Sequence, residues 1–213
     1  MEDHSQPIQV ERVLYDKPVA VIYNPTSGKR RDIRTFITDK LTSEQIEVEF
    51  YETKRYMHAW EYAEKDIDFA QHSALIAVGG DGTLHEVING MLMREDKRRL
   101  PIGFVPNGSG NDLVGCFGVR DIEQALDWFL KGDVIKMDVN KMLIDADDEE
   151  EIPPEEMHKR FRYSATSASL GFIAKVVHNA IRHKPYFGGA SYVTSGWTSF
   201  WSNYADLYDI NIQ

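Results

Sequence analysis

The chain has 213 residues, 42% of them hydrophobic, which suffices for one large domain, or one domain and part of another, around a packed core. It contains neither an apolar run of about 18 residues nor a basic stripe, which excludes the usual patterns of a membrane-spanning helix and of a nucleic-acid-binding surface. The formal net charge of −10 depends on an expected solvated loop at 145–156, because outside its eight acidic residues 26 acids face 24 bases.

Strand-like and helix-like segments alternate through residues 1–132. The predicted strands are 19–24, 46–53, 74–78 and 102–106. The predicted helices are 30–42, 56–70, 83–93, a short one that follows the loop ending at 112, and 121–131, whose N-cap is Asp121. Such alternation is typical of an α/β domain in which helices cover both faces of a parallel sheet.

The pattern changes after Gly132. The segments VIKMDVNKMLI and RFRYSATSASL predict a hairpin whose long connection is the acidic segment. Helices are predicted at 172–183 and 189–202, and the final DLYDINIQ alternates like the start of a strand. We therefore expect residues 133–213 to form part of a second, β-rich domain.

Three loops rich in small polar residues follow three of the predicted strands. They are NPTSGK at 24–29, GGDGT at 79–83 and PNGSGND at 106–112. In an open α/β sheet, ligands bind beyond the carboxyl ends of the strands. Glycines let backbone N–H groups approach a phosphate, and the helix after each loop adds its positive N-terminal end. Hydroxyls of Thr83 and Ser109 and the cations Lys29 and Arg30 fit the same ligand. One such loop can be a plain turn, but three at one edge favour a phosphate site.

Asp81 stands alone as a carboxylate within the second loop. Phosphates would repel it unless a metal ion or a transferable proton lay between them. Mg²⁺ binds one or two carboxylates together with phosphate oxygens, so Asp81 is a candidate metal ligand, or the base for an incoming hydroxyl. The structural alternative is that Asp81 caps the following helix.

The standard nucleotide motifs do not fit. A P-loop would need glycine at Tyr23, and a dinucleotide fingerprint would need glycine at His85 or at Leu113. Neither a P-loop nucleoside triphosphatase nor a Rossmann NAD site is therefore expected.

At these loops the chain resembles the catalytic domain shared by diacylglycerol, sphingosine and ceramide kinases. Three blocks carry the resemblance, in the order in which that family has them: YNPTSGK, VGGDGTLHEVING and PIGFVPNGSGND. The second block is the most specific, because it extends beyond GGDG through the HEV and NG residues. The resemblance runs from about Val19 to about Tyr192, and its later part depends on SASLGFIAKV and KPYFGGASY.

The resemblance implies an enzyme that transfers phosphate from ATP to a lipid, with Mg²⁺ as cofactor. It implies that Asp81 serves the metal ion or the acceptor hydroxyl and that Glu86 orients the loop or helps to hold the metal. Asp112 would help to shape the third loop, and Arg182 and Lys184 lie where the family often carries bases that face phosphate. The expected nucleotide-binding residues are Asn24, Ser27, Gly28, Lys29, Gly79, Gly80, Gly82, Thr83, Glu86, Asn107, Gly108, Ser109, Gly110 and Asn111.

The chain departs from the family pattern at two points. Family members continue beyond the position of Gln213 and carry a late acidic motif, so a protein partner is expected to cover an incomplete second domain. Lys175 stands where the sphingosine-kinase branch tends to have an acid. A lysine would repel a sphingoid ammonium, which favours a neutral or anionic lipid alcohol as the expected substrate.

Two further interpretations compete with an active lipid kinase. The first is a catalytically degenerate kinase-like subunit of a larger assembly, and the second is a soluble-substrate kinase such as NAD kinase, which also uses a GGDG loop. The HEV and NG residues and PNGSGND fit the lipid family better. The aromatic segment 187–204 is interpreted as a packed helix, with a lipid-facing or partner-facing surface as the alternative.

The compartment is inferred from the N-terminus and from Cys116. The first 18 residues lack the basic start and apolar run of a secretion signal, and a single cysteine excludes an internal disulfide. With the lipid substrate that the resemblance implies, we expect a cytoplasmic protein that acts peripherally at membranes, or alternatively a mitochondrial one.

Overall fold

The computed structural model describes residues 10–28, 32–143, 161–165, 172–187 and 190–201. Its strands are β1 Val10–Arg12, β2 Val19–Tyr23, β3 Val48–Glu52, β4 Ala74–Gly79, β5 Ile102–Pro106, β6 Asp133–Ile135, β7 Asn140–Leu143 and β8 Phe161–Ser164. Its helices are α1 Ile33–Thr42, α2 His58–Glu61, α3 Asp81–Met93, α4 Asp112–Cys116, α5 Ile122–Leu130, α6 Phe172–Phe187 and α7 Ser191–Trp201. A π-helical turn, Tyr62–Asp66, directly continues α2.

A parallel sheet of four strands, in the order β3–β2–β4–β5, forms the centre of the first part of the chain. Successive strand residues point to opposite faces, and both faces are apolar. Val19 and Val21 face the side covered by α1 and α5. Ala20 and Ile22 face the side covered by α2 and α3. The predicted α/β fold, with its parallel sheet and helices on both faces, is confirmed.

The predicted elements differ from the observed ones mainly at their ends. The helix predicted at 56–70 is shorter, because the backbone of Met57 is left-handed (φ 63°) and α2 begins only after it. Asp121 caps α5 as expected, since its Oδ1 accepts a hydrogen bond of 2.8 Å from the Gln124 N–H.

One small sheet was not predicted. The three residues of β1 pair antiparallel with the three of β6. All three β1 residues are exposed, and β6 is largely exposed, so neither strand carries a buried pattern that sequence reading could detect. Arg12 and Asp133 pair across this sheet at 3.3 Å.

The predicted hairpin is present as the antiparallel pair β7–β8, with Lys141 opposite Tyr163. The acidic segment that connects its strands lies outside the described residues, as does the strand predicted in DLYDINIQ. The predicted helices at 172–183 and 189–202 are α6 and α7. No helix within the described ranges is long and apolar enough to cross a membrane.

Backbone contacts divide the chain into two compact units, Met1–Thr166 and Ser167–Gln213. The first contains all three sheets. The second contains α6 and α7, joined by hydrogen bonds of 2.9 Å from Asn179 to Ser199 and of 2.8 Å between Ser195 and His183. The assignment of 133–213 to part of a second, β-rich domain stays a prediction.

Candidate functional site

The three polar loops lie side by side at the carboxyl edge of the central sheet, because β2, β4 and β5 are neighbours in it. The Asn24 N–H at the end of β2 donates a hydrogen bond of 3.1 Å to the carbonyl of Val78 in β4. The Asn107 N–H after β5 donates one of 2.7 Å to the carbonyl of Gly79. The parallel register therefore continues past the strand ends and holds the loops together.

The first and third loops touch directly. Gly28 has φ +78°, and a Cβ on it would lie 2.0 Å from the carbonyl oxygen of Asn107, so a side chain is excluded there. The Asn107 side chain donates from Nδ2 to the carbonyl of Ser27 at 2.9 Å. Both contacts bring the turn after β2 against the turn after β5.

Asn24 organises the first loop from within. Its Oδ1 accepts hydrogen bonds from the Thr26 N–H at 3.0 Å and the Thr26 hydroxyl at 2.8 Å. The Ser27 hydroxyl donates to the Asn24 carbonyl at 2.9 Å. The side chains of Asn24 and Ser27 thus shape the loop, a role that is compatible with ligand contact at its outer side.

The second and third loops are packed backbone to backbone. A Cβ on Gly108 would lie only 2.4 Å from the Cα of Gly80. Asn111 adopts the left-handed conformation at φ 64°. Its side-chain amide makes hydrogen bonds with both backbone groups of Gly108. Its Oδ1 accepts from the Gly108 N–H and its Nδ2 donates to the Gly108 carbonyl, each at 3.1 Å.

Asp81 is the first residue of α3 and points into this cluster. Its Oδ2 accepts a hydrogen bond of 2.7 Å from the Asn111 N–H. Gly80, not Asp81, is the N-cap, and no side chain caps the helix, so the alternative in which Asp81 caps α3 is wrong. The Oδ1 atom of Asp81 is buried and has no hydrogen-bond partner among the described residues.

A buried carboxylate oxygen without a partner destabilises the fold, because it loses water and gains nothing in return. A cation, or the proton of a bound hydroxyl, would supply the missing interaction. Within the described ranges no cluster of three or more His, Cys, Asp or Glu side chains could hold a metal ion by itself. Any metal ion at Asp81 would therefore need most of its ligand oxygens from water or from a bound anion, as Mg²⁺ takes them from phosphates.

Glu86 lies one turn further along α3 and holds a different element. Its Oε2 accepts a hydrogen bond of 3.2 Å from the Ala59 N–H at the start of α2. Burial raises the pKa of the Glu86 carboxyl, and the bonds from backbone N–H groups of α2 oppose that shift. The role that the resemblance implied for Glu86, orienting the second loop or helping to hold the metal, stays a prediction.

A cavity of about 250 Å³ opens beside the first two loops. Its wall includes Asn24, Thr26 and Thr83 from the first two loops, together with Glu86. The rest of the wall follows β3 and was missed from the sequence: Thr53, Lys54, Arg55, Tyr56 and Ala59. The available signal was the position of β3 in the sheet, since its carboxyl end lies at the same edge as the other three.

The sequence pattern of the diacylglycerol kinase catalytic domain matches residues 18–142. The chain belongs to this family. A diacylglycerol kinase of Staphylococcus saprophyticus is 36% identical over 129 residues, which are 59% of this chain and 41% of that protein. The sphingoid long-chain bases kinase 1 of Arabidopsis thaliana is 32% identical over 189 residues, 84% of this chain and 23% of that protein.

The chain thus spans less than half the length of these two relatives. A solved structure of a diacylglycerol kinase from Bacillus anthracis aligns with 60% of this chain and 46% of its own, at 22% identity and a TM-score of 0.46. All three loops and the whole cavity lie inside the segment that matches the diacylglycerol kinase family pattern.

Most of the residues expected to bind nucleotide lie in the cluster that the three loops form. Thr83 is buried behind Gly79, whereas Gly82, Ser109 and Gly110 are exposed at the edge of the cluster. Lys29 lies outside the described residues. Arg182 is exposed on α6 in the second unit, and the side chain of Lys184 is not described.

Proposed function

We propose that the chain binds the triphosphate of MgATP at its three loops and transfers the γ-phosphate to the hydroxyl of a lipid, either diacylglycerol-like or sphingoid. Membership of the diacylglycerol kinase family supports the reaction class. The observation that carries the proposal within the structure is the buried Oδ1 of Asp81, which has no partner among the described residues.

The loops supply the groups that a polyphosphate needs. The close contact of Gly108 with Gly80 keeps side chains away from the start of α3, where no side chain caps the first N–H groups of the helix and the positive end of its dipole lies. Fixed N–H dipoles bind an anion without reorganising at the moment of transfer. Binding and orienting the donor phosphate is therefore the main task of these loops.

Asp81 is positioned for the acceptor side of the reaction. The bond from the Asn111 N–H fixes Oδ2 and leaves Oδ1 for a proton or a cation. Oδ1 would accept the proton of the lipid hydroxyl as that oxygen attacks the γ-phosphorus, and the bond to the bridging oxygen breaks so that ADP leaves. In the alternative role, Oδ1 of Asp81 would hold Mg²⁺, which supplies charge neutralisation on the phosphate oxygens when bound.

The acceptor of this reaction is proposed to lie in a membrane surface, because a lipid hydroxyl is presented there. Binding of the protein to the membrane surface, without a membrane-spanning segment, is sufficient for such a reaction. The choice between a diacylglycerol-like and a sphingoid acceptor is an outcome of the experiment below.

The test measures transfer from labelled ATP, with Mg²⁺, to vesicles that contain diacylglycerol or sphingosine. Asp81→Asn keeps the shape of the side chain and its contact with Asn111 but removes the proton acceptor. We expect phosphate transfer to fall by at least about 100-fold, the usual scale of general-base catalysis. Asp127→Asn is the matched control, since Asp127 is a surface residue of α5 that pairs with Lys40 at 2.7 Å.

Nucleotide affinity is measured for the same variants by calorimetry. The proposal is wrong if wild-type protein transfers no phosphate to either lipid, or if Asp81→Asn transfers it as fast as wild type. Equal loss in Asp127→Asn would assign the effect to protein stability and would also contradict the assigned role of Asp81.

A further inference from the structure

Tyr56 lines the cavity beside the loops, yet nothing in the proposed transfer uses it. The residue follows the end of β3 by four positions, and 82% of its surface is exposed. A side chain so exposed buries too little apolar area to contribute much to folding. An aromatic ring at the wall of a cavity, without a packing role, points to a ligand contact.

The loop that carries Tyr56 is held in one conformation. The next residue, Met57, has φ 63°, a left-handed conformation that costs a residue with a side chain about 1–2 kcal/mol. Such a conformation persists only where the surroundings hold it. Here the Glu86 carboxylate accepts from the Ala59 N–H at 3.2 Å, and Arg55 pairs bidentately with Glu61, with one bond of 2.8 Å.

The remainder of the cavity wall is polar. Thr53 is 8% exposed and Thr83 also 8%, and neither hydroxyl makes a hydrogen bond to any described residue. A hydroxyl can both donate and accept, so these two suit the mixed donor and acceptor edge of a heterocycle. An acyl chain would need apolar walls, which among the lining residues only Ala59 and the Tyr56 ring supply.

The cavity adjoins the first and second loops, because Asn24 of the first loop and Thr83 of the second line its wall. We propose that Tyr56 stacks on the base of the bound nucleotide, with Thr53 and Thr83 at the edge of the base, and that this contact makes the cavity prefer purines. This inference rests on the proposed nucleotide site, since it takes the triphosphate to lie in the adjoining loops. A purine offers the ring a larger π surface than a pyrimidine does.

The test compares MgATP, MgCTP and magnesium tripolyphosphate in calorimetric titrations of the whole chain. Stacking of a base on an aromatic side chain typically contributes about 5- to 150-fold in affinity. We expect Tyr56→Ala to weaken MgATP binding by about tenfold or more, to weaken MgCTP binding less, and to leave tripolyphosphate affinity unchanged. Tyr56→Phe should retain the affinity for MgATP, because it keeps the ring.

Tyr186→Ala is the matched control, since Tyr186 is 84% exposed and lies on α6. It should leave all three affinities unchanged. The stacking inference is overturned if Tyr56→Ala binds MgATP as wild type does, or if it loses tripolyphosphate affinity to the same degree. If wild-type protein binds neither MgATP nor tripolyphosphate, the proposed function fails first. If the wild-type protein binds MgATP and tripolyphosphate with equal affinity, the phosphate site is supported and the proposed base site is wrong.

Discussion

At the scale of single residues, the candidate site depends on the absence of side chains where two loops meet. A methyl group on Gly108 would approach the Cα of Gly80 to 2.4 Å. Backbone atoms lie on both sides of this contact, so no rotamer change can relieve it. A larger residue would have to separate the second loop from the third and move the N–H groups that are proposed to bind phosphate.

Gly108→Ala is therefore expected to weaken MgATP binding by about 10- to 100-fold, because a displacement of about 1 Å at a positioned group has effects of this size. Titration calorimetry measures the affinity, and circular dichroism checks that the variant is folded. Gly115→Ala is the control: Gly115 lies in α4 with no atom within 4 Å of an added Cβ. Alanine there should leave the affinity unchanged. A folded Gly108→Ala variant with wild-type affinity would contradict the proposed phosphate site.

At the scale of elements, α3 links the candidate site to the hairpin β7–β8 through one side chain. Asn89 is fully buried, and it binds the backbone of Tyr163 in the manner of a neighbouring strand. Its Oδ1 accepts from the Tyr163 N–H at 2.7 Å, and its Nδ2 donates to the Tyr163 carbonyl at 2.9 Å. Nδ2 also donates to the carbonyl of His85 at 2.8 Å. The helix that begins with Asp81 thereby fixes β8.

Asn89→Asp should destabilise the protein by about 2–4 kcal/mol at pH 8, because a carboxylate cannot donate to the two carbonyls and is buried beside them. Burial raises the pKa of the introduced carboxyl above its unfolded value. The folded state of the variant is therefore favoured at low pH, and its free energy of unfolding decreases as pH rises through the folded-state pKa of the carboxyl. Urea unfolding at pH 5.5 and pH 8 should show the larger loss at pH 8. Asn140→Asp, at an exposed position of β7, should show little loss at either pH.

The same helix shows how far sequence reasoning reaches. Leu84, Val87 and Met91 recur at helical spacing and face the sheet, so α3 was predictable from local pattern. The convergence of the three loops was also predictable, because parallel strands end at the same edge. The contact between Asn89 and Tyr163 was not, since it joins residues 74 positions apart and leaves no periodic trace.

The missed wall of the cavity has a similar cause. Thr53 and Tyr56 follow β3 without glycine or any motif, so only the order of strands in the sheet reveals that they face the other loops. The pairing of β1 with β6 was missed because it joins two exposed segments of three residues. What the sequence left open was therefore long-range pairing between segments with no buried pattern.

At the scale of the whole molecule, the segment that precedes the central sheet contacts the end of α5 and strand β6. The Val13 N–H donates to the carbonyl of Gly132 at 2.8 Å, next to the pairing of β1 with β6. The Tyr15 hydroxyl donates to the carbonyl of Phe129 at the end of α5, and the two rings lie 5.1 Å apart. Burial raises the pKa of Tyr15 to about 12. The Tyr15 hydroxyl, which joins the N-terminal segment to α5, therefore ionises only in strong alkali.

The hydrogen bond of Tyr15 predicts that the free energy of unfolding decreases at alkaline pH. The folded pKa of Tyr15 exceeds its unfolded value of about 10, so its contribution is complete below pH 10 and is lost as pH rises through about 12. Tyr15→Phe lacks both the hydrogen bond and the titration. We expect wild type to exceed this variant by about 1 kcal/mol in free energy of unfolding at pH 8, the usual value of one hydrogen bond. The difference should shrink as pH rises above about 10, because the hydroxyl then ionises in the unfolded chain before it ionises in the folded one. Urea unfolding of both proteins from pH 8 to pH 11.5 measures it. Parallel curves over that range would show that the Tyr15 hydroxyl does not join the N-terminal segment to α5.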